Sequence, residues 1–481
     1  MNQKPNILFF FSDQHSGEFL NSDRVDTPNL NRLCREGTWF PNTYSQNPLC
    51  VPSRCSMLTG RYSRNLGIYE NRHILEANCT TIPRVLAENG YRTCLVGKSH
   101  FNGEQFHGYQ QRPYGDLFGQ AHQSEHIRTK DNMTEDQCAL GNLILNAGAT
   151  AIPLPMTQTE ICVSESVKWL QQYASTSQKE PFFLSVNFDK PHFPLRAPKK
   201  FFDKYKERAK LENSAEADYI HRQAVEFVRS QFEFNKGWSQ FADDKEAQQN
   251  ALAAYYACIE WVDDAIGRIM ECLDYLGLRE NTLVIYSSDH GEMAGEKTCW
   301  QKTLFFDRSA KVPLIFSMPG QVGENVKNTS LTGLLDLFPT ICDLSGVEIP
   351  ETCDGVSLAP VLRGEKESAR DSIFSESVLL RVPEHAGCML RDGDYKYNYY
   401  LRGDHELYNL AEDPHENHNL IHDAAYAEIC SSMRQRIEQF WEPEKQIQRY
   451  MDCPCMQREK HFYFSSNQFL GGDGSYFDAK P

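Results

Sequence analysis

The sequence lacks any apolar run long enough to cross a membrane. Its longer apolar stretches, such as residues 7–11, fall far short of the roughly 18 to 20 residues that a membrane-spanning helix needs. Internal repeats and low-complexity tracts are absent as well. The chain has 481 residues, of which 40% are hydrophobic, and this length suffices for one large domain or two to three ordinary ones. We therefore expect a folded, soluble protein.

Cysteine is sparse, with 16 residues and no regular spacing, which excludes a small disulfide-rich scaffold. Residues 1–5 are polar and lack the charged, apolar and small-residue regions of a secretory leader. These two absences predict a cytoplasmic protein with mostly free thiols. Cys453 and Cys455 form a single Cys-x-Cys without a second pair, so we interpret them as packed or surface thiols rather than metal ligands.

Basic residues are too few to balance the acidic ones, since 49 against 65 leave a formal charge of -16. A net negative charge repels nucleic acid and anionic membranes before contact is made. We therefore expect neither as a partner. Any anionic ligand must instead be bound by a local cluster of cations.

Three apolar runs, at residues 6–12, 182–186 and 282–288, are typical of strands buried on both faces of a sheet. Helix-like stretches lie between them at residues 28–36, 82–89, 160–174 and 251–276. The alternation predicts an α/β fold in which helices cover a large, mainly parallel or mixed sheet. Asp13 and Asp289 each follow one of these strands, and ligands of open α/β sheets bind at the carboxyl ends of strands. We therefore expect the two acids to share one site.

From about residue 368 the pattern changes to short strands, at residues 372–375, 389–391, 395–401 and 406–410, followed by a helix at residues 424–441. This pattern predicts a smaller antiparallel sheet with a helix packed on it. We accordingly divide the chain into a large α/β domain, residues 1–365, and an α+β part with an irregular tail, residues 366–481. The aromatic residues at 395–400 are interpreted as sheet packing rather than as a platform for a sugar or choline.

The most informative segment is residues 50–61, Cys-Val-Pro-Ser-Arg-Cys-Ser-Met-Leu-Thr-Gly-Arg. Pro52 suits an early helical turn, which places Cys50 at the start of a helix and Arg54 one turn further on. Positive potential at a helix start activates a thiol as a nucleophile or holds an anion beside it. The same local pattern is equally consistent with a buried structural cysteine.

The segment Cys50-x-Pro-Ser-Arg54, followed by Leu-Thr-Gly-Arg, resembles the signature of the formylglycine-dependent sulfatases, within the alkaline phosphatase superfamily. Further motifs of that family stand in the same order, at Pro5-Asn6-Ile7, residues 26–30, 97–100, 190–194 and 288–292, Lys302, and residues 312–315, 336–340, 407–410 and 413–414. Residues 190–203 and 300–302 are more similar to iduronate, heparan and choline sulfatases than to arylsulfatases. The resemblance implies an alkaline phosphatase-like fold and a sulfuric ester hydrolase.

The resemblance also implies that Cys50 is oxidised after translation to formylglycine (3-oxoalanine), whose hydrate is the nucleophile. A maturation partner, either a formylglycine-generating enzyme or a radical enzyme, would carry out this conversion. A metal site is implied at Asp13, Gln14, residue 50, Asp289 and His290, although many sulfatases have a second acid in place of Gln14 and Asn in place of His290. Carboxylate oxygens suit Ca²⁺ or Mg²⁺, the family favours Ca²⁺, and an imidazole ligand makes Mn²⁺ or Zn²⁺ acceptable.

The remaining catalytic candidates are polar side chains that the resemblance places around the diol and the sulfate group, namely Arg54, Lys98, His100, His192 and Lys302. Sulfuryl transfer needs donors for three equatorial oxygens and an acid for the departing oxygen. Lys98 and Lys302 are similar to the sulfate-binding lysines of the family, and Arg54 to the residue on the side of the diol and the metal. His100 resembles the histidine that assists deprotonation of the diol. His192 resembles the acid for the leaving group, acting with Lys302.

The implied function is the release of inorganic sulfate from a sulfated carbohydrate or a small sulfate ester, choline sulfate included. The first alternative is a phosphonate monoester or phosphodiester hydrolase with the same nucleophile, and the second is an inactive sulfate-binding protein with an unconverted Cys50. The sequence is compatible with a homo-oligomer. Outside the motifs, His15 either lines the pocket or packs in the core, and Arg308 and Lys311 are interpreted as solvent-facing charges.

Overall fold

The computed structural model describes residues 4–71, 73–101, 105–115, 147–176, 180–211, 244–378, 386–401, 405–452, 468–470 and 476–478. Cys453 and Cys455 lie outside these ranges. Every cysteine within them is a free thiol. Among the described helices, none combines the length and the apolar character that crossing a membrane requires.

The secondary structure alternates between strands and helices over most of the chain. The strands are β1 (Asn6–Asp13), β2 (Thr38–Trp39), β3 (Thr43–Tyr44), β4 (Arg92–Gly97), β5 (Gln111–Tyr114), β6 (Gly148–Ala149), β7 (Phe182–Pro191), β8 (Arg196–Ala197), β9 (Thr282–Ser288), β10 (Lys311–Val312), β11 (Leu314–Ser317), β12 (Val326–Lys327), β13 (Thr332–Gly333), β14 (Ser372–Ser377), β15 (Gly387–Asp392), β16 (Tyr395–Tyr400), β17 (Glu406–Asn409), β18 (Gln468–Leu470) and β19 (Tyr476–Asp478). The α-helices are α1 (Pro28–Arg35), α2 (Cys50–Thr59), α3 (Ser63–Leu66), α4 (Ile82–Glu88), α5 (Gln158–Ser175), α6 (Lys199–Lys206), α7 (Lys245–Tyr275), α8 (Asp307–Ala310), α9 (Leu337–Leu344), α10 (Ala359–Leu362), α11 (Ala427–Trp441) and α12 (Pro443–Asp452).

Eight strands form the central sheet, in the order β12-β2-β11-β9-β1-β7-β4-β5. β1 runs parallel to both of its neighbours, β7 and β9, and β4 continues the parallel pairing beyond β7. β11 is antiparallel to β9 and to β2, so the sheet is mixed with a parallel centre. The predicted α/β fold with a mainly parallel or mixed sheet is confirmed, and β1, β7 and β9 contain the three predicted apolar runs.

Both faces of the central sheet are buried, which explains the unbroken apolar sequence of β1. Because side chains alternate along a strand, Ile7, Phe9 and Phe11 pack on one face, and Leu8 and Phe10 pack on the other. Helices α2, α4 and α9 cover the first face, and α1, α5 and α7 cover the second. The core therefore holds the central parallel strands in one register, and this register decides which residues meet at the strand ends.

A separate four-stranded antiparallel sheet follows, in the order β14-β15-β16-β17. α11 packs on it through Ile437 and Trp441, which confirms the predicted small sheet with a helix against it. Tyr397 and Tyr399 contribute to the cluster under α11, whereas Tyr400 packs in a different cluster. The aromatic residues of β16 therefore serve sheet packing, as predicted. The division of the chain at residue 365 stays a prediction.

A buried ion-pair network joins the small sheet to the chain that follows β9. Lys396 on β16 has no exposed surface, and its Nζ lies 2.7 Å from Asp307 Oδ1 and 2.7 Å from Glu416 Oε1. Lys311 approaches the same aspartate from the other side, with its Nζ 3.2 Å from Asp307 Oδ2 and 2.6 Å from Glu18 Oε1. Burial raises the pKa of Glu416 to about 7, although the charge of Lys396 opposes this rise. The network therefore depends on two lysines to balance three acids.

Arg308 and Lys311 are buried or largely buried, so the interpretation of both residues as solvent-facing charges is wrong. Arg308 is 5% exposed, forms an ion pair with Glu296 and lies over the ring of Phe19, 4.5 Å from its centroid. Lys311 is largely buried in the network around Asp307. The interpretation was wrong because the fold brings together groups that are distant in sequence. Glu296 pairs with Arg308, and Glu18 together with the buried pair of Asp307 and Lys396 surrounds Lys311.

Removing the central cation of this network is expected to destabilise the fold. Lys396→Met keeps the size of the side chain but leaves Asp307 and Glu416 buried without their shared partner, which should cost about 3–5 kcal/mol in the free energy of unfolding. Urea denaturation measures the difference. Lys199→Met, which removes an exposed lysine paired with Asp203 in the same helix, is the control and should cost less than about 1 kcal/mol. Equal losses in the two variants would contradict the assignment.

Candidate active site

Four neighbouring parallel strands, β9, β1, β7 and β4, end at the same edge of the central sheet. The register of β1 against β9 places Asp13 and Asp289 side by side. β7 leads directly into His192, and β4 leads into Lys98. Asp13 and Asp289 thus lie in one cluster, as the strand pattern predicts.

The thiol of Cys50 lies at the start of α2, as the Cys-x-Pro-Ser-Arg segment predicts. Asn71 Oδ1 accepts a hydrogen bond from the Val51 N–H at 3.0 Å and so caps one of the free amides of this helix. Cys50 is 1% exposed, and its Sγ lies 3.2 Å from His290 Nε2 and 3.3 Å from Lys302 Nζ. Cys50 therefore faces the polar cluster at the strand ends.

Opposing influences set the acidity of the Cys50 thiol. Burial raises its pKa, and so does the negative charge of Asp13, whereas the positive charge of Lys302 and the neighbouring imidazole of His100 lower it. The net pKa is lower than that of an ordinary cysteine. A nearby cation thus favours negative charge on the atom that residue 50 presents to the site.

Arg54 lies between the two acids. Its Nη2 is 2.8 Å from Asp13 Oδ2, and its Nε is 2.8 Å from Asp289 Oδ2. Lys98 Nζ lies 2.7 Å from the same oxygen of Asp13. Burial alone would raise the pKa of Asp13, but the positive charges of Lys98 and Arg54 hold it well below its usual range. The two carboxylates can therefore lie together in the protein interior because cations compensate their charge.

Asp13, Cys50, Asp289 and His290 could hold a metal ion, since one potential ligand atom from each lies within 4.8 Å of the others. Asp13 Oδ1 is buried and has no hydrogen-bond partner among the described residues, so it has a lone pair available for a cation. His290 pairs through Nδ1 with the carbonyl oxygen of Gly291 at 3.0 Å. If Nδ1 carries the proton, the lone pair of Nε2 faces the cluster. These donors fit a divalent cation.

Gln14, the fifth residue predicted as a metal ligand, uses its side-chain amide within the protein. Its Oε1 accepts a hydrogen bond from Lys302 Nζ at 2.9 Å, and its Nε2 donates to Glu292 Oε2. Its backbone N–H donates to Asp289 Oδ1 at 3.0 Å, which ties it to the metal-ligand group. Gln14 therefore lies at the edge of the cluster, and its role as a metal ligand stays a prediction.

The histidines of the site are held in the neutral form. Burial lowers the pKa of His100 and of His290 to about 4. Burial and the charge of Lys302 lower the pKa of His192 well below its usual range. His192 Nε2 lies 3.9 Å from Asp13 Oδ1, so the ring reaches the centre of the cluster. His15 instead packs in the core, where its ring pairs with the hydroxyl of Tyr286 and burial lowers its pKa to about 3.

Asn187 and Glu292 support the site, although neither is among the predicted site residues. Asn187 donates from Nδ2 to the carbonyl oxygen of Lys98 at 2.8 Å and accepts from the Lys98 N–H at 3.0 Å. Gly97 precedes this lysine with φ of 99°, and a Cβ there would lie 2.0 Å from the Asn187 carbonyl oxygen. The polar Asn187 directly after the predicted apolar run 182–186 is the signal that could have identified it. Glu292 belongs to the motif at residues 288–292, but its contacts with the site arise only in the folded chain.

Comparison with known proteins identifies related chains over most of the length. A family model described as Sulfatase matches residues 5–347, and a model described as N-sulphoglucosamine sulphohydrolase, C-terminal, matches residues 295–443. The choline-sulfatase of Rhizobium meliloti (strain 1021) is 29% identical over 435 residues, which are 87% of this chain and 82% of that protein.

Solved structures with the same fold include a substrate complex and a phosphonate monoester hydrolase. One is a protein in complex with its substrate D-glucosamine-2-N,6-O-disulfate, with a TM-score of 0.74 and 20% identity. The superposition covers 95% of this chain and 100% of that protein. The phosphonate monoester hydrolase SpPMH of Silicibacter pomeroyi has a TM-score of 0.76 at 22% identity and covers 99% of this chain and 100% of its own. At these identities the likeness establishes the shared fold.

Divalent cations are expected to stabilise the wild-type protein, because a cation bound to the Asp13, Cys50, Asp289 and His290 group binds the folded state only. Differential scanning fluorimetry with Ca²⁺, Mg²⁺, Mn²⁺ and Zn²⁺ should show a concentration-dependent rise in Tm. Asp289→Asn removes one charged ligand and should abolish this rise. Asp26→Asn, at an exposed acid that pairs with Lys204, should retain it. A rise of the same size in Asp289→Asn would rule out this group as the metal site.

Proposed function

This chain belongs to the sulfatase family and is a sulfuric ester hydrolase, and we propose that it releases inorganic sulfate from a sulfated carbohydrate or small sulfate ester through formylglycine formed from Cys50. The observation that carries the proposal is the position of Cys50. Its sulfur lies at a helix start, within hydrogen-bond distance of His290 and Lys302, beside the acids that could hold a metal.

A maturation enzyme, oxygen-dependent or radical, would convert the Cys50 thiol to an aldehyde, and hydration would then give a geminal diol. One diol hydroxyl loses its proton, and its oxygen forms a bond to the sulfur atom of the ester while the bond from sulfur to the alcohol oxygen breaks. The alcohol oxygen takes up a proton and leaves, and residue 50 then carries a sulfate hemiester.

The second hydroxyl completes the cycle. Loss of its proton forms the carbonyl bond of the aldehyde again and breaks the bond between carbon and the sulfate oxygen, so inorganic sulfate leaves without attack of water on sulfur. Water then hydrates the aldehyde. Neither a cysteine nor a serine has this second hydroxyl, which is the chemical reason for a modified residue at position 50.

Two histidines supply the proton transfers, one as a neutral base and the other as an acid once a sulfate ester is bound. His100 lies beside Cys50, and with a pKa of about 4 it is unprotonated at pH 7 and accepts the proton of the diol. His192 is the acid for the departing alcohol. Its pKa is low partly because Lys302 and Lys98 are close, and a bound sulfate ester brings negative charge that offsets these cations. Lys302 is a second donor toward the leaving oxygen.

The cations of the site bind the sulfate group and balance the acids. Lys98 and Lys302 would donate to the sulfate oxygens, and Arg54 would hold Asp13 and Asp289 in place beside residue 50. A divalent cation would be held by Asp13, Asp289, His290 and residue 50, with Gln14 at its edge, and would supply charge that stabilises negative oxygens during transfer. The carboxylates favour Ca²⁺, whereas the imidazole admits Mn²⁺ or Zn²⁺.

A sulfated sugar is the first choice of substrate. It is supported by the match to an N-sulphoglucosamine sulphohydrolase model and by the fold shared with a protein that binds a disulfated glucosamine. Choline sulfate is the second choice, on the strength of the choline-sulfatase relative.

A phosphonate monoester or phosphodiester hydrolase remains the alternative reaction. The observation that favours it is the fold shared with a phosphonate monoester hydrolase. An inactive sulfate-binding protein would result if Cys50 stayed a thiol.

Conversion of Cys50 is expected to control activity. Protein produced with a maturation enzyme should show, by peptide mass spectrometry, the loss of mass that marks thiol becoming aldehyde, and it should hydrolyse a sulfate ester. Protein produced without the enzyme should retain the thiol and be on the order of a thousandfold or more less active, because the nucleophile is missing. Cys50→Ala made in the same host gives the residual rate. Full activity with an intact thiol would refute the mechanism.

The substrate class follows from a comparison of kcat/KM on four esters, namely a sulfated monosaccharide, choline sulfate, an aryl phosphonate monoester and a phosphodiester. The sulfated monosaccharide is expected to give the highest value. A higher value for choline sulfate would shift the substrate within the sulfate esters. A clear preference for either phosphorus ester would overturn the proposal in favour of the alternative reaction.

A further inference from the structure

Lys302 lies between two residues with unusual backbone conformations. Gln301 has φ of 72° and Thr303 has φ of 80°, both in the left-handed region that residues other than glycine rarely adopt. Such conformations persist only where surrounding contacts hold them, and they concentrate at functional sites. The contacts that hold residues 301–303 therefore decide where the Lys302 ammonium lies.

The buried carboxylate of Glu292 accepts hydrogen bonds on both of its oxygens, and one of these bonds comes from the backbone of residue 301. Oε1 accepts hydrogen bonds from the backbone N–H groups of Gln301 and Ala294, the latter at 3.0 Å. Oε2 accepts from Gln14 Nε2. Glu292 is 1% exposed, and in these contacts its carboxylate accepts three hydrogen bonds. The carboxylate therefore ties the segment that carries Lys302 to the residue that follows Asp13.

Gln14 transmits the orientation set by Glu292. A carboxylate can only accept hydrogen bonds and an ammonium can only donate them, so an amide between the two must turn Nε2 toward Glu292 and Oε1 toward Lys302. This is the arrangement observed, with Lys302 Nζ 2.9 Å from Gln14 Oε1 and 3.3 Å from Cys50 Sγ. Glu292, Gln14 and Lys302 thus form a directed chain of hydrogen bonds that ends at the reactive residue.

We propose that Glu292 is a positioning residue, which fixes the Lys302 ammonium against residue 50 by holding residue 301 through one carboxylate oxygen and the Gln14 amide through the other. The inference rests on the proposed function, since it assigns Lys302 to the bound sulfate group. Glu292 has no direct contact with Cys50 among the described contacts and acts through Lys302.

A double-mutant cycle tests this dependence. Glu292→Gln keeps the shape of the side chain but replaces one acceptor oxygen by a donor, so the Gln14 amide loses its fixed direction. The variant is expected to lower kcat on a sulfate ester by about 100-fold, the scale of an ångström-sized displacement of a catalytic group. In a Lys302→Met background the same change should alter kcat by no more than about twofold, because the residue through which Glu292 acts is already gone.

Two measurements and two further variants serve as controls. Mass spectrometry of the position-50 peptide and the melting temperature establish that each variant is converted and folded. Glu292→Asp keeps the charge while withdrawing the carboxylate, and it replaces Glu292→Gln in the cycle if that variant does not fold. Glu296→Gln changes a partly buried acid of the same loop, one that pairs with Arg308, and should leave kcat within about twofold of wild type.

An equal loss in the wild-type and Lys302→Met backgrounds would overturn the inference, because Glu292 would then act independently of Lys302. So would an unchanged kcat in the folded, converted Glu292 variants. Failure of the proposed function has a different signature, since converted wild-type protein would then hydrolyse no sulfate ester at all.

Discussion

The site depends on the buried guanidinium of Arg54, which lies between the carboxylates of Asp13 and Asp289. The sheet register places these two acids next to each other where neither is exposed, and like charges so close would repel each other and resist desolvation. Arg54 reaches both acids because α2 begins at Cys50 and presents the guanidinium one turn later. The first turns of one helix therefore supply both the reactive residue, Cys50, and the positive charge that offsets the repulsion between the two acids beside it.

The two sides of the site are held in different ways. Asp13 and Lys98 lie at the ends of packed parallel strands, where register and core packing fix the backbone. Lys302 lies on a connecting segment whose backbone departs from ordinary conformations and is held by hydrogen bonds, among them one from the Thr303 N–H to the carbonyl oxygen of Pro48. Core packing thus fixes the positions of Asp13 and Lys98, whereas hydrogen bonds fix the position of Lys302.

The sequence predicted those features whose cause is local. An unbroken apolar run identified β1 and β9, and the acid at the end of each run followed from parallel-sheet geometry. Contacts between distant segments carried no such signal. Arg308 and Lys311 were interpreted as surface charges because their burial depends on contacts with Glu296 and Glu18, which the fold brings close. Strand β4 was missed because Arg92 and Thr93 interrupt the apolar pattern, although β7 pairs with it along its length.

The ion pair between Lys396 and Asp307 spans 89 residues of sequence. In a chain synthesised from its amino terminus, Asp307 and Lys311 are therefore made well before Lys396, which lies on strand β16 of the small sheet. Because α8 begins at Asp307, shortly after Lys302, the pair between Asp307 and Lys396 connects the segment that carries Lys302 to the small sheet. A chain synthesised from its amino terminus therefore contains residue 50, which is 1% exposed in the folded protein, well before it contains the residue that completes the burial of Asp307.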